Sequence, residues 1–533
     1  MDITNSGNIT LGDGFGIIGE VVDGSLSITN SGDIAVSRGI GIQALSSGNA
    51  DITADISGTL IGTGEAGSNL IAIDSSGTGN VDLTANGMFS TSLLQTFDSP
   101  EIVVTANENI NATFGGQLNN AAVQLDSENG NIDLIVDADA TQTGSGFQFN
   151  IDAGDTTTAV INGDVLIDAG SFGAFSGANA IDLTINGDVD TLLAGSITSG
   201  GGDIDLTVNG DFTSQASSLS IFATNDGDPI GGTVDVAVNG TLEGAGDGLT
   251  AVANGAETNI SVSGLLQSLD VVGEDNGNGL FSALELVGIG NTVITVEETG
   301  QLLSPQDDTI LLTADANSSA TVIVDITHAG LIQVDQEGDA IEIGLGAADT
   351  TNITNTGNIV GNIRLLGGDN TIVTEAGSLI TGDILTGDGT DTVTLALDAL
   401  DGNVDLGGGD DTLNFAGSID QLGALEGGVG TDLIATTTAA GATVTSDFSD
   451  VSVANFENFQ LLGEGTRNFT GSNDLDTMFD LQGGILNLDA DFANADAMTA
   501  AGTEFNLGGT INSLTVGGTL GTLGDPTGTG GDR

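Results

Sequence analysis

The residues most able to do chemistry in this sequence are aspartates that follow glycine-rich turns in the second half of the chain. Three similar segments begin at Gly387, Gly407 and Gly427 and read GDGTDTVTL, GGGDDTLNF and GGVGTDLIA. Their acidic side chains supply the candidate metal ligands Asp388, Asp391, Asp410, Asp411 and Asp432. Carboxylate and carbonyl oxygens are the hard ligands that calcium prefers. The segments are therefore candidates for holding a divalent cation such as calcium.

The spacing of these segments strengthens the case for a cation. They recur every ~20 residues, which suits one coil of a repetitive β-structure. Stacked coils would hold Asp391, Asp411 and Asp432 about 5 Å apart, where like charges repel by ~1 kcal/mol per pair even in water. A divalent ion would reverse that repulsion. Ordinary turn chemistry, with glycine at positive φ and aspartate capping its own turn, also explains the glycine and aspartate residues of these segments. Both interpretations stay open.

The segment from Gly427 resembles the calcium-binding RTX repeats, because it matches their nonapeptide GGxGxDxUx at every fixed position. The matching residues are Gly427, Gly428, Gly430, Asp432 and Ile434. The two preceding segments carry the resemblance in part, through Gly387, Gly389, Asp391 and Val393, and through Gly407, Gly409, Asp411 and Leu413. The resemblance implies turns whose carbonyl oxygens and aspartate carboxylate hold calcium. The family repeats its motif without gaps, whereas this chain has one motif per coil and a truncated GGDNTI from Gly367.

A second set of equivalent polar residues lies in segments that read ITNSG, ITNTG and ITHAG. Asn5, Asn30 and Asn355 fall where the related segment IDLTING places the inward-facing Ile185. His328, the sole histidine, holds the same position. A polar side chain facing a core needs partners, and stacked amides can bond from coil to coil. We therefore interpret Asn5, Asn30, His328 and Asn355 as a structural ladder.

The elements that must position these side chains are short strands. Segments such as IDLTINGDV from Ile181 and IDLTVNGDF from Ile204 alternate apolar and polar residues and then turn at Asn-Gly. Related copies recur every ~20 to 30 residues. This pattern predicts an all-β fold, a single elongated parallel β-helix of roughly 20 coils, for which we expect the right-handed form.

The C-terminal stretch from Leu481 resembles the end of autotransporter passenger domains. The residues that carry the resemblance are Gly483, Gly484, Leu486 to Leu488, Gly508 to Thr510 and Leu514 to Leu520. It implies export through an outer-membrane barrel. Met1 opens directly on a repeat without a signal peptide, so we expect a processed or truncated chain.

We expect four consecutive regions along the chain. Residues 1–365 form the main coils, and residues 366–435 form Gly/Asp-turn coils continuous with them. Residues 436–520 form the C-terminal coils that resemble the passenger end. Residues 521–533 are a glycine- and threonine-rich flexible linker or tail.

The charge balance limits the partners. Lys and Arg total 4 against 75 Asp and Glu, for a net charge of −71. Such a surface repels nucleic acid and anionic lipid. No run of about 18 apolar residues occurs, so we expect no direct membrane insertion.

Catalysis has little support in the sequence, and we predict that the protein is not an enzyme. Other parallel β-helices cleave acidic polysaccharides, but those enzymes rely on basic side chains, which are scarce here. Adjacent carboxylates such as Asp307–Asp308 and Asp410–Asp411 are expected by chance among 75 acidic residues. A polysaccharide-active enzyme is the least favoured interpretation.

Two functions remain. The first is an extracellular or bacterial cell-surface structural or adhesive rod that binds a surface receptor or glycan. The second is a calcium-dependent subunit that binds itself, in a surface layer or extracellular filament, with cations bridging its acidic copies.

Overall fold

The protein is described here by a computed structural model, which consists almost entirely of β-strands and turns. The described residues are 1–63, 69–91, 101–143, 147–215, 219–223, 232–253, 257–269, 281–305, 307–314, 321–335, 338–419, 422–449, 451–473, 478–482, 485–492, 497–500, 504–507 and 515–516. The chain divides into two compact units, Met1–Gly290 and Asn291–Arg533. No helix among these residues is long and apolar enough to cross a membrane.

The strands form because apolar and polar residues alternate. In Ala180–Ile185, the side chains of Ile181, Leu183 and Ile185 are buried, while Asp182 is exposed. Period-two burial of β-branched and leucine side chains is typical of a strand with one face on a core. Each such strand pairs in parallel with its equivalent one coil away, as Ala180–Ile185 does with Asp203–Val208.

Unit 1 contains two parallel sheets, A and B. Among the described residues, the strands of sheet A are Asp2–Asn5, Ser25–Asn30, Asp51–Ile56, Val81–Ala85, Ile110–Phe114, Ile132–Val136, Thr156–Ile161, Ala180–Ile185, Asp203–Val208, Thr233–Val238 and Glu257–Val262. The strands of sheet B are Ile9–Val21, Ile34–Ser46, Leu60–Gly62, Asn69–Ser75, Met88–Thr91, Ile102–Ala106, Gln117–Asn119, Val123–Ser127, Ala140–Gln142, Phe147–Ala153, Val165–Gly177, Val189–Ser199, Asp211–Ser214, Leu219–Ala223, Thr241–Gly244, Leu249–Val252, Leu265–Ser268 and Leu284–Ile289.

Unit 2 repeats this arrangement and adds a third sheet, C. In the described part of this unit, the strands of sheet A are Thr292–Val296, Ile323–His328, Thr350–Asn355, Asp369–Thr374, Thr392–Leu395, Thr412–Phe415, Leu433–Thr437, Asn458–Leu462, Met478–Gln482, Ala497–Ala500 and Thr515–Val516. The strands of sheet B are Gln301–Ser304, Ile310–Ala314, Leu331–Val334, Asp339–Gly344, Asn358–Val360, Asn362–Leu365, Leu379–Thr381, Ile384–Leu385, Leu400–Asp401, Val404–Asp405, Leu425–Glu426 and Val453–Ala454. Those of sheet C are Thr443–Asp447, Thr466–Asn473, Ile485–Phe492 and Glu504–Leu507.

Each unit buries apolar side chains, including clusters of phenylalanine rings. Unit 1 contains a cluster in which the ring of Phe172 lies 5.8 Å from that of Phe149 and 5.3 Å from that of Phe212. In unit 2 the rings of Phe448 and Phe469 lie 5.0 Å apart. Edge-to-face ring packing at these distances stabilises a core beyond the area it buries.

Glycine lets successive turns stack closely. A Cβ atom on Gly187 would lie 2.2 Å from the carbonyl oxygen of Gly163 in the preceding coil. No larger residue fits there without moving the backbone, so the Asn-Gly turns of neighbouring coils stay in register.

The predicted fold class is confirmed, because the protein is an all-β parallel β-solenoid. The solenoid has about 16 turns, slightly fewer than the roughly 20 coils expected. The Gly/Asp segment 366–435 lies within unit 2. Residues 483–484, 508–514 and 517–533, which include much of the passenger-like stretch and the predicted tail, lie outside the described residues.

Candidate functional site

The Gly/Asp turns of unit 2 form a regular stack. Gly387 and Gly407 both have positive φ, at 81° and 84°. A Cβ atom on Gly407 would lie 2.0 Å from the carbonyl oxygen of Gly387. The stack therefore requires glycine both for its backbone conformation and for its close contact. It places the residues after the turns one above another.

Three of the five predicted metal ligands form a buried column. Asp391, Asp411 and Asp432 occupy equivalent positions directly before successive sheet A strands and are at most 1% exposed. The backbone N–H of Asp391 donates to Asp411 Oδ1 at 2.8 Å. The backbone N–H of Asp411 donates to Asp432 Oδ1 at 2.9 Å. Each carboxylate thus links two coils through one of its oxygens.

The column continues past the three aspartates at both ends. Asn370 precedes it, and both its backbone N–H and its Nδ2 donate to Asp391 Oδ1, at 2.8 and 2.9 Å. Glu457 follows it, because the backbone N–H of Asp432 donates to Glu457 Oε2 at 2.7 Å. Neither residue was among the ligands predicted from the sequence. Asn370 could have been predicted from the sequence, because its position in the truncated GGDNTI segment is equivalent to that of Asp391.

The second oxygen of each carboxylate is unsatisfied. Within the described residues, the Oδ2 atoms of Asp391, Asp411 and Asp432 and the Oδ1 atom of Asn370 are buried without a hydrogen-bond partner. Burial raises the pKa of Asp391 to about 6, raises that of Asp411 to about 7, and raises that of Asp432. A carboxylate removed from water favours its neutral form unless a positive charge compensates it.

The column can therefore take up either protons or a cation. Three carboxylates and one amide supply four unpartnered oxygens, the donor type that suits calcium. They lie on successive coils, however, and the group of three acidic residues whose ligand oxygens lie within 4.8 Å of one another in the described part of the chain is Asp308, Asp339 and Glu342. A divalent cation in the column would therefore be shared between neighbouring carboxylates, where it would supply positive charge. Protonation would neutralise the carboxylates at acidic pH.

The other two predicted ligands lie elsewhere. Asp388 and Asp410 are exposed. Asp410 Oδ1 accepts a hydrogen bond from the backbone N–H of Thr431 at 2.9 Å. Asp410 and Asp411 are thus adjacent in sequence, but one faces solvent and the other is buried. The five residues form an inner set of three and an outer set of two.

The predicted ladder residues lie in two separate pairs. In unit 1, Asn5 Nδ2 donates to Asn30 Oδ1 at 2.8 Å. In unit 2, His328 Nδ1 and Asn355 Oδ1 lie 2.8 Å apart. Asn30, His328 and Asn355 are fully buried. In the next coil, Ile56 takes this position after Asn30 and Thr374 takes it after Asn355.

The buried imidazole of His328 has one unsatisfied nitrogen. Its Nε2 atom and the Nδ2 atom of Asn355 have no hydrogen-bond partner in the described residues. Burial lowers the pKa of His328 from its ordinary value. The neutral imidazole is therefore the favoured form in the core.

A longer amide ladder, which was not predicted from the sequence, runs along unit 1 one residue further on. It uses the asparagines of the Asn-Gly turns, which are exposed. Successive side-chain hydrogen bonds of 2.7 to 2.9 Å join Asp137, Asn162, Asn186, Asn209, Asn239 and Ser263. The recurring sequences ING and VNG could have indicated this ladder, because they place an asparagine at the same turn position in successive repeats. We call these six residues the outer ladder.

An acidic row accompanies the outer ladder. The carboxylate of Asp164 accepts the backbone N–H of Asp188, and that of Asp188 accepts the backbone N–H of Asp211, both at 3.1 Å. These residues line an open groove of about 320 Å³ beside the exposed side chain of Leu166.

A second acidic cluster in unit 2 was also missed. Carboxylate oxygens of Asp308, Asp339 and Glu342 lie within 4.8 Å of one another. Arg364 pairs with Asp339 and lies 3.7 Å from Glu342. Burial raises the pKa of Asp308 to about 6. The guanidinium supplies positive charge to this cluster, unlike the Asp391–Asp432 column.

Comparisons with known proteins give no assignment, because no family, curated protein or solved structure matches the chain. The resemblances to RTX repeats and autotransporter passengers therefore rest on the sequence motifs alone.

Proposed function

We propose that this protein is an extracellular, cell-surface structural or adhesive β-solenoid that is exported like an autotransporter passenger and does not act as an enzyme. The observation that carries the proposal is the outer ladder. Five successive side-chain hydrogen bonds from Asp137 to Ser263 join neighbouring coils. Polar side chains on this edge therefore connect coils to each other, which is the task of a scaffold.

The acidic row supports the same role. Asp164 and Asp188 use their carboxylates to accept backbone N–H groups of the next coil. A carboxylate engaged in this way serves as a structural acceptor. The net charge of −71 keeps such a surface hydrated and repels nucleic acid and anionic lipid. A receptor or glycan is therefore the favoured type of partner, and the groove beside Leu166 is the first place to seek it.

Surface labelling of the native host tests this proposal. Antibodies against the purified chain should label intact cells, and protease added outside the cells should remove the label. Cells permeabilised before staining serve as the control for total protein. Labelling that appears only after permeabilisation would contradict an extracellular role.

A second candidate, a calcium-dependent self-assembling subunit, is favoured by the Asp391–Asp432 column. Its three buried Oδ2 atoms lack partners, so a bound cation would stabilise the coils around them. The exposed Asp388 and Asp410 lie on the same turns and could share cations with another copy. In this candidate function the inner set stabilises unit 2, and the outer set mediates assembly.

Matched variants separate these two tasks. With calcium, the wild-type chain should form ordered assemblies visible by electron microscopy, and chelator should disperse them. The outer variant Asp388→Asn/Asp410→Asn should lose assembly but keep the calcium-dependent rise in thermal stability. A protein that stays monomeric in calcium at all concentrations would exclude the assembly candidate while leaving the surface-scaffold proposal intact.

A further inference from the structure

Asn-Gly turns are chemically reactive, and unit 1 repeats them at equivalent positions. Five of them follow sheet A strands: Asn86–Gly87, Asn162–Gly163, Asn186–Gly187, Asn209–Gly210 and Asn239–Gly240. In such a pair the glycine nitrogen can attack the asparagine Cγ atom, because no glycine side chain shields it. The new N–Cγ bond replaces the Cγ–Nδ2 bond, and ammonia leaves. Water then opens the succinimide ring to aspartate or isoaspartate.

The glycine N–H groups of these turns make equivalent backbone hydrogen bonds. The attacking N–H of Gly87 donates to Ile56 O at 3.2 Å. The corresponding N–H of Gly187 donates to Ile161 O, also at 3.2 Å. The glycine nitrogen must leave the same kind of hydrogen bond in both turns before it can react. Differences in reactivity must therefore come from the asparagine side chains.

The side chain of Asn86 differs from those of the outer ladder. Asn186 Nδ2 donates to Asn162 Oδ1, and Asn186 Oδ1 accepts from Asn209 Nδ2, each at 2.7 Å. Asn86 is exposed, and its equivalent in the next coil is Gly115, which has no side chain to bond. The Asn86 amide makes no hydrogen bond within the described residues.

We propose that Asn86 is the preferred site of spontaneous deamidation among these turns, and that the outer ladder protects Asn186 and Asn209. The asparagine Cγ reaches the glycine nitrogen only if the side chain rotates, and rotation breaks ladder bonds. A hydrogen bond of ordinary net strength corresponds to a rate lowered by about two- to tenfold. Asn186 must break two such bonds, whereas Asn86 breaks none.

The consequence of the reaction differs in the same way. A carboxylate at Asn186 could no longer donate to Asn162 Oδ1, so two acceptor oxygens would face each other and the ladder would open. A carboxylate at Asn86 disrupts no ladder bond. The position that reacts most readily is therefore also the one where modification leaves the outer ladder intact.

Peptide mapping by mass spectrometry tests the proposal on the full chain. Folded protein is incubated at mildly alkaline pH, and the conversion of each asparagine is followed with time. Asn86 should convert at least about fivefold faster than Asn186 and Asn209, the factor expected from the lost ladder bonds. In denaturant all three should convert at similar rates. Equal rates in the folded protein, or earlier conversion of Asn186, would overturn the proposal.

The variant Asn209→Ala adds an internal control. It removes the acceptor of Asn239 Nδ2 and the donor to Asn186 Oδ1. Conversion of Asn239 should then rise by about two- to tenfold, while Asn162, which keeps both its bonds, should not change. An unchanged rate at Asn239 in a variant with wild-type circular dichroism argues against ladder protection. If the variant fails to fold, the wild-type comparison of Asn86 with Asn186 still decides.

Discussion

The backbone N–H of Asp391 donates to Asp411 Oδ1 at 2.8 Å, while Asp411 Oδ2 is buried without a partner. One carboxylate thus joins two coils with one oxygen and leaves the other unsatisfied. The same relationship repeats one coil further on, between Asp411 and Asp432. The stability of this part of unit 2 should therefore depend on whether protons or a cation neutralise the negative charge of these carboxylates.

Replacing the inner set should abolish the response to calcium. Wild-type protein should gain about 2.7 kcal/mol from one site at free calcium a hundredfold above its dissociation constant, or a Tm rise of roughly 2–5 °C for a cooperative unit of this size. The variant Asp391→Asn/Asp411→Asn/Asp432→Asn should show no rise, because the amides lack the charge that attracts the ion. Differential scanning calorimetry in calcium and in chelator measures the difference.

The outer variant Asp388→Asn/Asp410→Asn is the matched control, since it changes two acidic residues on the same turns. It should retain the wild-type Tm rise in calcium. A calcium response that survives in the inner variant but disappears in the outer one would place the ion at the exposed pair instead.

The cation-free protein should lose stability as the pH rises from about 4 to about 7. Burial raises the folded-state pKa of Asp391 to about 6 and that of Asp411 to about 7, above the ordinary 3.8. The folded state then binds more protons than the unfolded state in this window, so raising the pH favours unfolding. Urea unfolding in chelator across this range measures the slope.

The single variant Asp411→Asn identifies the source of that slope. It removes the group with the higher pKa, so its stability should depend less on pH between 6 and 7.5 than that of the wild type. A wild-type protein whose stability increases through the window would show that the aspartates are ionised and compensated in the folded state.

His328 should titrate below its ordinary pKa of 6.5, because burial disfavours the imidazolium. The unfolded state then binds the proton more readily, so this residue contributes a loss of stability as the pH falls below 6.5. As the only histidine, it gives a single set of imidazole resonances, which NMR can follow with pH. A titration midpoint at or above 6.5 would be inconsistent with the buried pair.

The variant His328→Asn should remove this acid sensitivity. An amide at residue 328 can donate to Asn355 Oδ1, as Asn5 donates to Asn30. The variant should therefore fold and lack the imidazole titration.

Asn209→Ala should destabilise unit 1 more than Asn86→Ala. The first substitution removes two hydrogen bonds of the outer ladder. A hydrogen bond contributes about 0.5–1.5 kcal/mol to stability, and the lower part of this range applies to exposed groups. We expect a loss of about 1–2 kcal/mol, against less than about 0.5 kcal/mol for Asn86→Ala. Denaturant unfolding of both variants measures this, and equal losses would indicate that the outer ladder does not stabilise the coils.

The fold was predictable because its cause is local and repeated. Alternation in segments such as Ala180–Ile185, closed by Asn-Gly, predicts a strand and a turn within a few residues. A repeat of that unit then requires parallel stacking, since equivalent residues must meet. The buried positions of Asn30, His328 and Asn355 follow from the same alignment.

The candidate site was predictable only in part. Asp391, Asp411 and Asp432 share a motif position, but the sequence does not separate them from Asp388 and Asp410. Asp411 and its neighbour Asp410 differ only in which side of the chain they face, and that depends on the register of the strand that follows. Residues outside the motif, such as Glu457, join the column only through folding.

The sequence by itself thus determined the all-β solenoid class, because period-two alternation and glycine turns act over a few neighbouring residues. The tertiary structure alone decided which asparagines bond. The inward pairs stop where Ile56 follows Asn30, whereas the exposed turn asparagines continue from Asn162 to Asn239. A ladder needs the same side chain in several adjacent coils, and adjacency between coils is a property of the stacked register that no single repeat contains.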